Sequence, residues 1–461
     1  MNEKINIEDL KGLYFIGIGG IGMSAIARYF NAKGNEVSGY DKASTELTKQ
    51  LEVEGISIHY EDKVELAPKN VDVVIYTPAI PDDNTELLFY KNNNYQVLKR
   101  SDILKIITES SFNICVAGTH GKTTVSTMIA HILRHTGYGC NAFLGGISAN
   151  YGTNFWSSTK NVCVIEADEY DRSFLKLSPN VAVITAVDPD HLDIYGTAEE
   201  FQKAFVDFAG KVKQGGCLIS KKGLKCEKEL MSLSSNNLMN KMTYSYSNNS
   251  SNVYAHSLNA SNGSYSFIVT GKDWVLENVQ LNMGGLHNIE NMTAAIAVSK
   301  YIGIEDEKIK LAVADFKGVK RRFEYIIKND QQVLIDDYAH HPEELKALIN
   351  GVRSLFHKKL TIVFQPHLFS RTKDQADGFA EVLGMADEVI ILPIYPAREM
   401  PMQGVNSNMI IERMNNNKAR IMDKLELIDW IKKEKPELLV MAGAGDIDVM
   451  VYEAKKILTT D

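Results

Sequence analysis

The stretch Ile114-Cys115-Val116-Ala117-Gly118-Thr119-His120-Gly121-Lys122-Thr123-Thr124 constrains this chain more than any other. An apolar run of strand type enters a glycine-containing turn, and the residues that follow, VSTMIAHILRH, carry apolar side chains at helical spacing. The Gly-Lys-Thr unit therefore sits where a strand hands over to a helix N-terminus. Unpaired amide N–H groups and the positive end of the helix dipole favour an anion there, the lysine adds a point charge, and the threonine hydroxyl is suited to Mg2+. The general P-loop spacing asks for glycine at position 116, where this chain has Val116, so that pattern is met in part.

At 461 residues the chain is too long for one hydrophobic core, and a spacing of roughly 150 residues per domain predicts three domains. A content of 44% hydrophobic and 23% charged residues with 11 prolines is that of an ordinary soluble globular protein. The net charge of -8 argues against a nucleic-acid partner, which would call for a basic stripe, so phosphate binding must be local. Cys115, Cys140, Cys163, Cys217 and Cys226 show neither metal-type spacing nor a disulfide framework, which fits a reducing compartment. No apolar run approaches the length of a bilayer, and MNEKINIEDLKG lacks the apolar centre of a signal peptide. The expectation is a cytoplasmic protein without membrane insertion.

Before the phosphate turn, Leu13-Tyr14-Phe15-Ile16 reads as a strand, and Gly17-Ile18-Gly19-Gly20-Ile21-Gly22 completes G-x-G-x-x-G ahead of the helical stretch MSAIARYFNAKG. A second strand, Glu36 to Tyr40, runs into Asp41. Glycines of this spacing admit a pyrophosphate, and an acid at the second strand's end accepts from a ribose hydroxyl. A nicotinamide or flavin dinucleotide and a UDP-sugar present the same pyrophosphate, so the turn by itself leaves them open. Further on, Val71 to Tyr76 is a strand leading into Thr77-Pro78-Ala79-Ile80-Pro81.

After the turn, Phe143 to Trp156 reads as a glycine-containing polar loop, and Val162-Cys163-Val164-Ile165 as a buried strand delivering Glu166. Val181 to Thr185 is a further strand, ending in Asp188-Pro189-Asp190-His191. Ligands gather at the carboxyl ends of parallel strands, so a lysine, a carboxylate and a histidine are expected to converge there. Asp168, Glu169 and Asp171 read as a solvated loop. Residues 216 to 281 are Ser/Asn-rich with the alternation of short antiparallel strands, and carry no evident chemistry. Asn288 and Asn291 lie three apart at the start of a helix, where they share a face; Asn288 is equally suited to capping that helix. Arg321 and Arg322 are either surface charge or a clamp on phosphate. Beyond them, the strands Val333–Asp336, Leu360–Gln365, Glu388–Leu392 and Leu438–Met441 each end in a polar cluster.

The segment Gly118-Thr119-His120-Gly121-Lys122-Thr123 resembles the ATP loop of the Mur ligases, bacterial enzymes that add amino acids to a UDP-linked muramic acid. The resemblance extends to Thr77-Pro78-Ala79-Ile80-Pro81, the Glu166 and Asp190-His191 strand ends, His287-Asn288-Ile289-Glu290-Asn291, Asp337-Tyr338-Ala339-His340-His341-Pro342 and Pro366-His367-Leu368-Phe369-Ser370-Arg371-Thr372. Two departures stand out: Tyr60-Glu61 replaces a Gly-His pair, and Leu368 stands where some relatives have a second arginine. The resemblance implies an α/β protein of three domains. These are a Rossmann-like UDP-sugar domain (1–108), a central P-loop ATPase-like domain with a mainly parallel sheet (109–320) and a Rossmann-like C-terminal amino-acid domain (321–461).

The same resemblance implies the residue roles. Lys122, Glu166, His191 and Arg371 would be catalytic, with Thr123, Glu166 and His191 on two Mg2+ ions. ATP would meet Gly118, Thr119, Gly121, Lys122, Thr123, Thr124, His287, Asn288, Asn291, Arg322 and Asp337. The UDP-sugar would meet Gly17, Gly19, Gly20, Gly22, Met23, Ser24, Asp41, Thr77, Ala79 and His120. The amino acid would meet Tyr338, His340, His367 and Arg371. The implied partners are UDP-N-acetylmuramate, L-alanine and ATP, joined by a monomer or homodimer in peptidoglycan precursor synthesis. The alternatives are a ligase that recycles a ready-made tripeptide onto the same sugar nucleotide, an NAD(P)-dependent oxidoreductase, which would leave Gly121-Lys122-Thr123 without a role, and a non-catalytic nucleotide sensor.

Overall fold

The apolar runs form strands because both of their faces are covered, and the polar clusters lie beyond their carboxyl ends. A computed structural model describes residues 6–189, 192–233, 240–397, 399–414 and 419–459. It contains three sheets of five, ten and six strands with helices packed on them, an α/β fold of three domains.

In the first sheet all strands are parallel, in the order Ser57–His59, Glu36–Tyr40, Gly12–Ile16, Val73–Tyr76, Val97–Lys99. The order reverses between Gly12–Ile16 and Val73–Tyr76, and such a switch point opens a crevice at the carboxyl ends. Gly17 and Thr77 lie on its two sides. The helix Arg100–Ser110 closes this unit, so the expected boundary at 108 falls within that helix.

The second sheet places Phe112–Ala117 between Val181–Ile184 and Val162–Glu166, all parallel. Alternate residues of Phe112–Ala117 face opposite ways. Ile114 and Val116 join an apolar cluster with the helices Lys122–His135, Leu286–Tyr301 and Asp306–Asp315, which continues into Val333, Ile335 and Leu345 of the third domain. Cys115 and Ala117 join the opposite cluster, which holds Phe201, Phe205 and Phe208 and continues into Phe15, Ile26 and Phe30 of the first domain. The apolar cluster on each face of this strand is thus continuous with the core of one flanking domain.

Two sequence expectations need correction here. The stretch read as a loop contains the edge strands Asn141–Phe143 and Phe155–Trp156. Within residues 216 to 281, Cys217–Lys221 and Asn240–Tyr246 extend the parallel sheet, and antiparallel pairing starts only with Val253–Ser261, Ser264–Thr270 and Val275–Leu281. Their alternating apolar residues, among them Ile219, Tyr244, Ala255, Tyr265, Phe267, Val269, Val279 and Leu281, join the core of the central domain.

The third sheet runs Glu324–Lys328, Val333–Asp337, Leu438–Ala442, Leu360–Phe364, Glu388–Ile391, Ala419–Ile421, antiparallel only at Glu324–Lys328. The Asn262-Gly263 hairpin tip of the central domain docks against it, with Tyr325 Oη and Lys328 Nζ both donating to the Gly263 carbonyl at 3.0 Å. Among the described residues no helix is long and apolar enough to cross a membrane.

The first domain also buries charge. Glu86 is fully buried and accepts from the Tyr14 hydroxyl and from Lys63 N–H, with His59 Nε2 3.5 Å away. Burial pushes its carboxyl up to about 7. Between its unfolded value and about 7 the folded state binds the extra proton, so stability falls as pH rises through that window. Glu86→Gln, which imitates the protonated acid, should therefore raise the unfolding temperature at pH 8 and lose most of that advantage at pH 5. The ceiling is about 3 kcal/mol, and thermal unfolding at both pH values measures it.

Candidate active site

The phosphate turn has no room for side chains at two of its glycines. Gly118 has φ +140°, and a Cβ there would lie 2.1 Å from Thr185 Oγ1 and 2.7 Å from Ala186 N. Gly121 caps the Lys122–His135 helix at φ +84°, a conformation that glycine adopts freely. The neighbouring strand end fixes the turn: Thr119 N–H donates to Ala186 O at 3.2 Å, Asp188 N–H to Thr119 Oγ1 at 3.2 Å, and Thr185 Oγ1 to the His120 carbonyl. The helix's first amides are thereby held open toward a cleft of about 540 Å³.

Glu166 reaches this cleft from the end of Val162–Glu166. Its carboxylate accepts from Gly145 N–H at 3.1 Å and from the Thr123 hydroxyl. A Cβ on Gly145 would lie 2.2 Å from Glu166 Oε2, and one on Gly146 would lie 2.9 Å from Thr123 Cγ2, so this glycine pair makes room for the carboxylate and the hydroxyl to sit together. Burial raises the Glu166 carboxyl, and Lys122 and Thr123 oppose the rise. Thr123 and Glu166 are hard oxygen ligands that fit Mg2+, which completes its shell with waters and phosphate oxygens. Among the described residues no group of three or more His, Cys, Asp and Glu side chains forms a metal cage by itself. His191 lies outside the described residues.

Lys122 Nζ donates to Gly118 O and to Glu169 Oε1, each at 2.7 Å. Glu169 is only 2% exposed, so the solvated-loop reading of this acid is corrected. Its neighbour Asp168 binds Arg100 at 3.1 Å, and Arg100 lies across the glycine turn of the first domain, where a Cβ on Gly22 would meet its Nη1 at 2.4 Å.

The same cleft is also lined by Lys221, Tyr244, His287, Asn288, Glu290 and Asn291. Asn288 is not the helix cap, a place taken by Gly285. Its amide donates to Gly284 O at 2.6 Å, and its carbonyl accepts from Asn291 Nδ2 at 3.2 Å, so Asn288 orients Asn291 against Gly121. Lys221 pairs with Glu290 at 2.8 Å, and together with Tyr244 it gives the Ser/Asn-rich segment a place in the site that its composition did not signal. The third domain adds Arg322, Phe323, Asp337, Glu343 and Glu344 to the same cleft. The two arginines part: Arg322 faces the cleft, whereas Arg321 turns inward to the Gly443 and Gly445 carbonyls. Asp337 accepts from Phe323 and Ala339 N–H, each at 2.7 Å, and burial raises its carboxyl to about 6.

Beside Glu344, which accepts from His340 N–H at 3.0 Å, a second cluster forms on the third domain. His340 and His367 rings lie 6.1 Å apart, His367 stacks on Tyr395 at 5.8 Å, and Arg371 Nη1 is 3.4 Å from His367 Nδ1. Tyr338 packs under Arg321 and Arg322 at 5.1 and 5.5 Å. Burial lowers both histidines, and Arg371 lowers them further, although Glu344 opposes this at His340. Both are therefore neutral at physiological pH. Leu368 holds φ +70° at the head of the Arg371 helix.

At the first domain's turn, Gly17 has φ +84° and packs on Thr77 and Ile80, while Gly20 and Ala79 are exposed. Asp41 accepts from Gly19 N–H at 2.7 Å, holding the turn itself. Met23 and Ser24 are buried; the Ser24 hydroxyl accepts from Asn154 and donates to Ile21 O, tying the first domain to the second. His120, assigned by resemblance to the sugar nucleotide, lines the nucleotide cleft.

A glycine turn between a parallel strand and a helix N-terminus, covered by arginine and carboxylates from another α/β domain, is the arrangement of an enzyme site completed between domains. The chain belongs to the Mur ligase family: the Mur ligase family catalytic domain matches residues 12–111, the Mur ligase middle domain residues 116–299, and the Mur ligase glutamate ligase domain residues 321–446. It is 44% identical over 460 residues to the UDP-N-acetylmuramate–L-alanine ligase of Christiangramia forsetii, covering 98% of this chain and 99% of the relative. Identity is 45% over 452 residues to the enzyme of that name from Phocaeicola vulgatus, covering 96% and 97%. The crystal structure of the UDP-N-acetylmuramate-alanine ligase from Thermotoga maritima matches with a TM-score of 0.78 at 28% identity, covering 97% of this chain and 98% of that one.

Gly145→Ala should push the Glu166 carboxylate off Thr123. Turnover should fall about tenfold or more and the Mg2+ concentration for half-maximal rate should rise, with sugar-nucleotide affinity unchanged; a Mg2+ titration of both proteins checks this.

Proposed function

We propose that this chain joins L-alanine to the lactyl carboxylate of UDP-N-acetylmuramate at the expense of ATP. The observation that carries the reading is the meeting of Lys122, Thr123 and Glu166 with Arg322 and Asp337 of a separate domain in one cleft. Near full-length relatives that bear the corresponding name supply the substrates.

A carboxylate is a poor electrophile because its oxygen does not leave. Transfer of the ATP γ-phosphoryl group to a lactyl oxygen forms a C–O–P link and releases ADP. The alanine amine then attacks the carbonyl carbon, and the C–O bond breaks to release phosphate. Catalysis of the first step is mainly positioning and charge compensation. Lys122 and Arg322 bring cations to the phosphates. Mg2+, held by Thr123 and Glu166 and, by family resemblance, a second ion at His191, would add positive charge on the phosphoryl oxygens.

At the first domain, the N-terminus of the helix Ile21–Ala32 and Arg100 would meet the diphosphate of the sugar nucleotide. At the third, Arg371 receives the alanine carboxylate through two parallel N–H bonds. Neutral His340 and His367 do not repel the incoming ammonium and are able to accept its proton. Closing three domains would bring the reactants together and exclude water from the acyl phosphate. The use of ATP and a UDP-sugar supports a cytoplasmic enzyme.

Phosphate release from Mg-ATP should require both UDP-N-acetylmuramate and L-alanine; release without either contradicts the reading. Arg371→Lys should raise the Michaelis constant for L-alanine far more than those for ATP and the sugar nucleotide, because lysine cannot copy a bidentate grip. At equal concentration, L-alanine should be used in clear preference to L-alanyl-γ-D-glutamyl-meso-diaminopimelate. The opposite preference would replace this reading with the recycling one.

A further inference from the structure

Glu169 is a buried acid that the reaction as written does not use, yet its carboxylate touches the lysine on which phosphoryl transfer depends. Its side chain is 3% exposed, its Oε1 lies 2.7 Å from Lys122 Nζ, and its Oε2 has no hydrogen-bond partner among the described residues. The backbone around it is fixed with equal care: the Glu169 carbonyl accepts from Tyr195 Oη at 2.5 Å and from Arg172 N–H at 3.0 Å. Asp171 and Arg172 both adopt φ +54°, a left-handed conformation that side chains rarely take. The chain therefore accepts local strain in the turn that aims this one carboxylate at the P-loop.

An ammonium has three N–H donors. Gly118 O and Glu169 Oε1 take two of them. We propose that Glu169 is a positioning residue that locks Lys122 so that its remaining N–H points at the transferring phosphoryl group, in the bound state as well as the empty one. The lysine then need not leave its partner to bind ATP. The arrangement also has a cost that identifies it: a carboxylate beside the phosphates repels them, so Glu169 favours orientation over nucleotide affinity. A residue kept only for folding has no reason to weaken ATP binding.

The inference rests on the ligase reading for its meaning but not for its test, which is a cycle of wild type, Lys122→Ala, Glu169→Gln and the double variant. Glu169→Gln should lower turnover about tenfold or more in the wild-type background and less than about twofold in the Lys122→Ala background, since partners in one unit are not additive. The Mg-ATP dissociation constant of Glu169→Gln, measured by calorimetry without the other substrates, should be equal to or tighter than that of wild type. Equal losses in both backgrounds, or ATP binding weakened about tenfold, would overturn the role. Glu169→Asp, which keeps the charge, should recover part of the turnover lost in Glu169→Gln, and it replaces the glutamine variant in the cycle if that one does not fold. Should wild type turn over neither UDP-N-acetylmuramate nor L-alanine, the ligase reading fails while the ATP-binding comparison still decides for or against Glu169.

Discussion

The fold depends on a backbone contact that admits no side chain: Gly118 against Thr185 and Ala186 at the ends of neighbouring parallel strands. This contact closes the phosphate turn and sets the direction of the Lys122–His135 helix, and with it the place of Lys122, Thr123 and the open amides. The same strand, Phe112–Ala117, presents alternate residues to two apolar clusters, one shared with each flanking domain. The first and third domains are consequently joined to the two faces of the same strand through these clusters.

Charge is the second organising quantity. The chain is acidic overall, yet Lys122, Arg322, Arg100 and Arg371 are distributed one to each anionic group the reaction would bring. Three of the four have protein partners: Lys122 is held by Glu169, Arg100 by Asp168, and Arg371 lies beside His367. Burial pushes the carboxyls of Glu166, Glu169 and Asp337 upward, which disfavours their charged forms until a cation is beside them.

The sequence made the convergence of strand ends legible because parallel strands are buried on both faces and so appear as unbroken apolar runs, as at Ile114–Ala117, Val162–Ile165 and Val181–Ile184. The adjacency of these three strands in one sheet follows from that pattern and from the crossovers between them. Glu169 was not legible: surrounded by Asp168 and Asp171, it looks like one of several loop acids, and only the three-dimensional turn separates the buried one from its exposed neighbours. Asp41 and Asn288 illustrate a different limit. Residue type and spacing placed both at a ligand-facing position, but their hydrogen bonds to Gly19 and Gly284 serve the backbone that shapes the site. Arg321 and Arg322 are adjacent and alike in sequence, and a left-handed residue at Arg321 turns them to opposite sides.

The central claim is that the P-loop delivers a phosphoryl group to a carboxylate rather than to water or to the amine. UDP-N-acetylmuramate carrying oxygen-18 in its lactyl carboxylate tests it directly. After turnover with Mg-ATP and L-alanine, mass spectrometry of the released phosphate should find one labelled oxygen per phosphate, carried over when the acyl phosphate C–O bond breaks. Phosphate free of label, with the label retained in the amide product and lost only to solvent, would contradict the account.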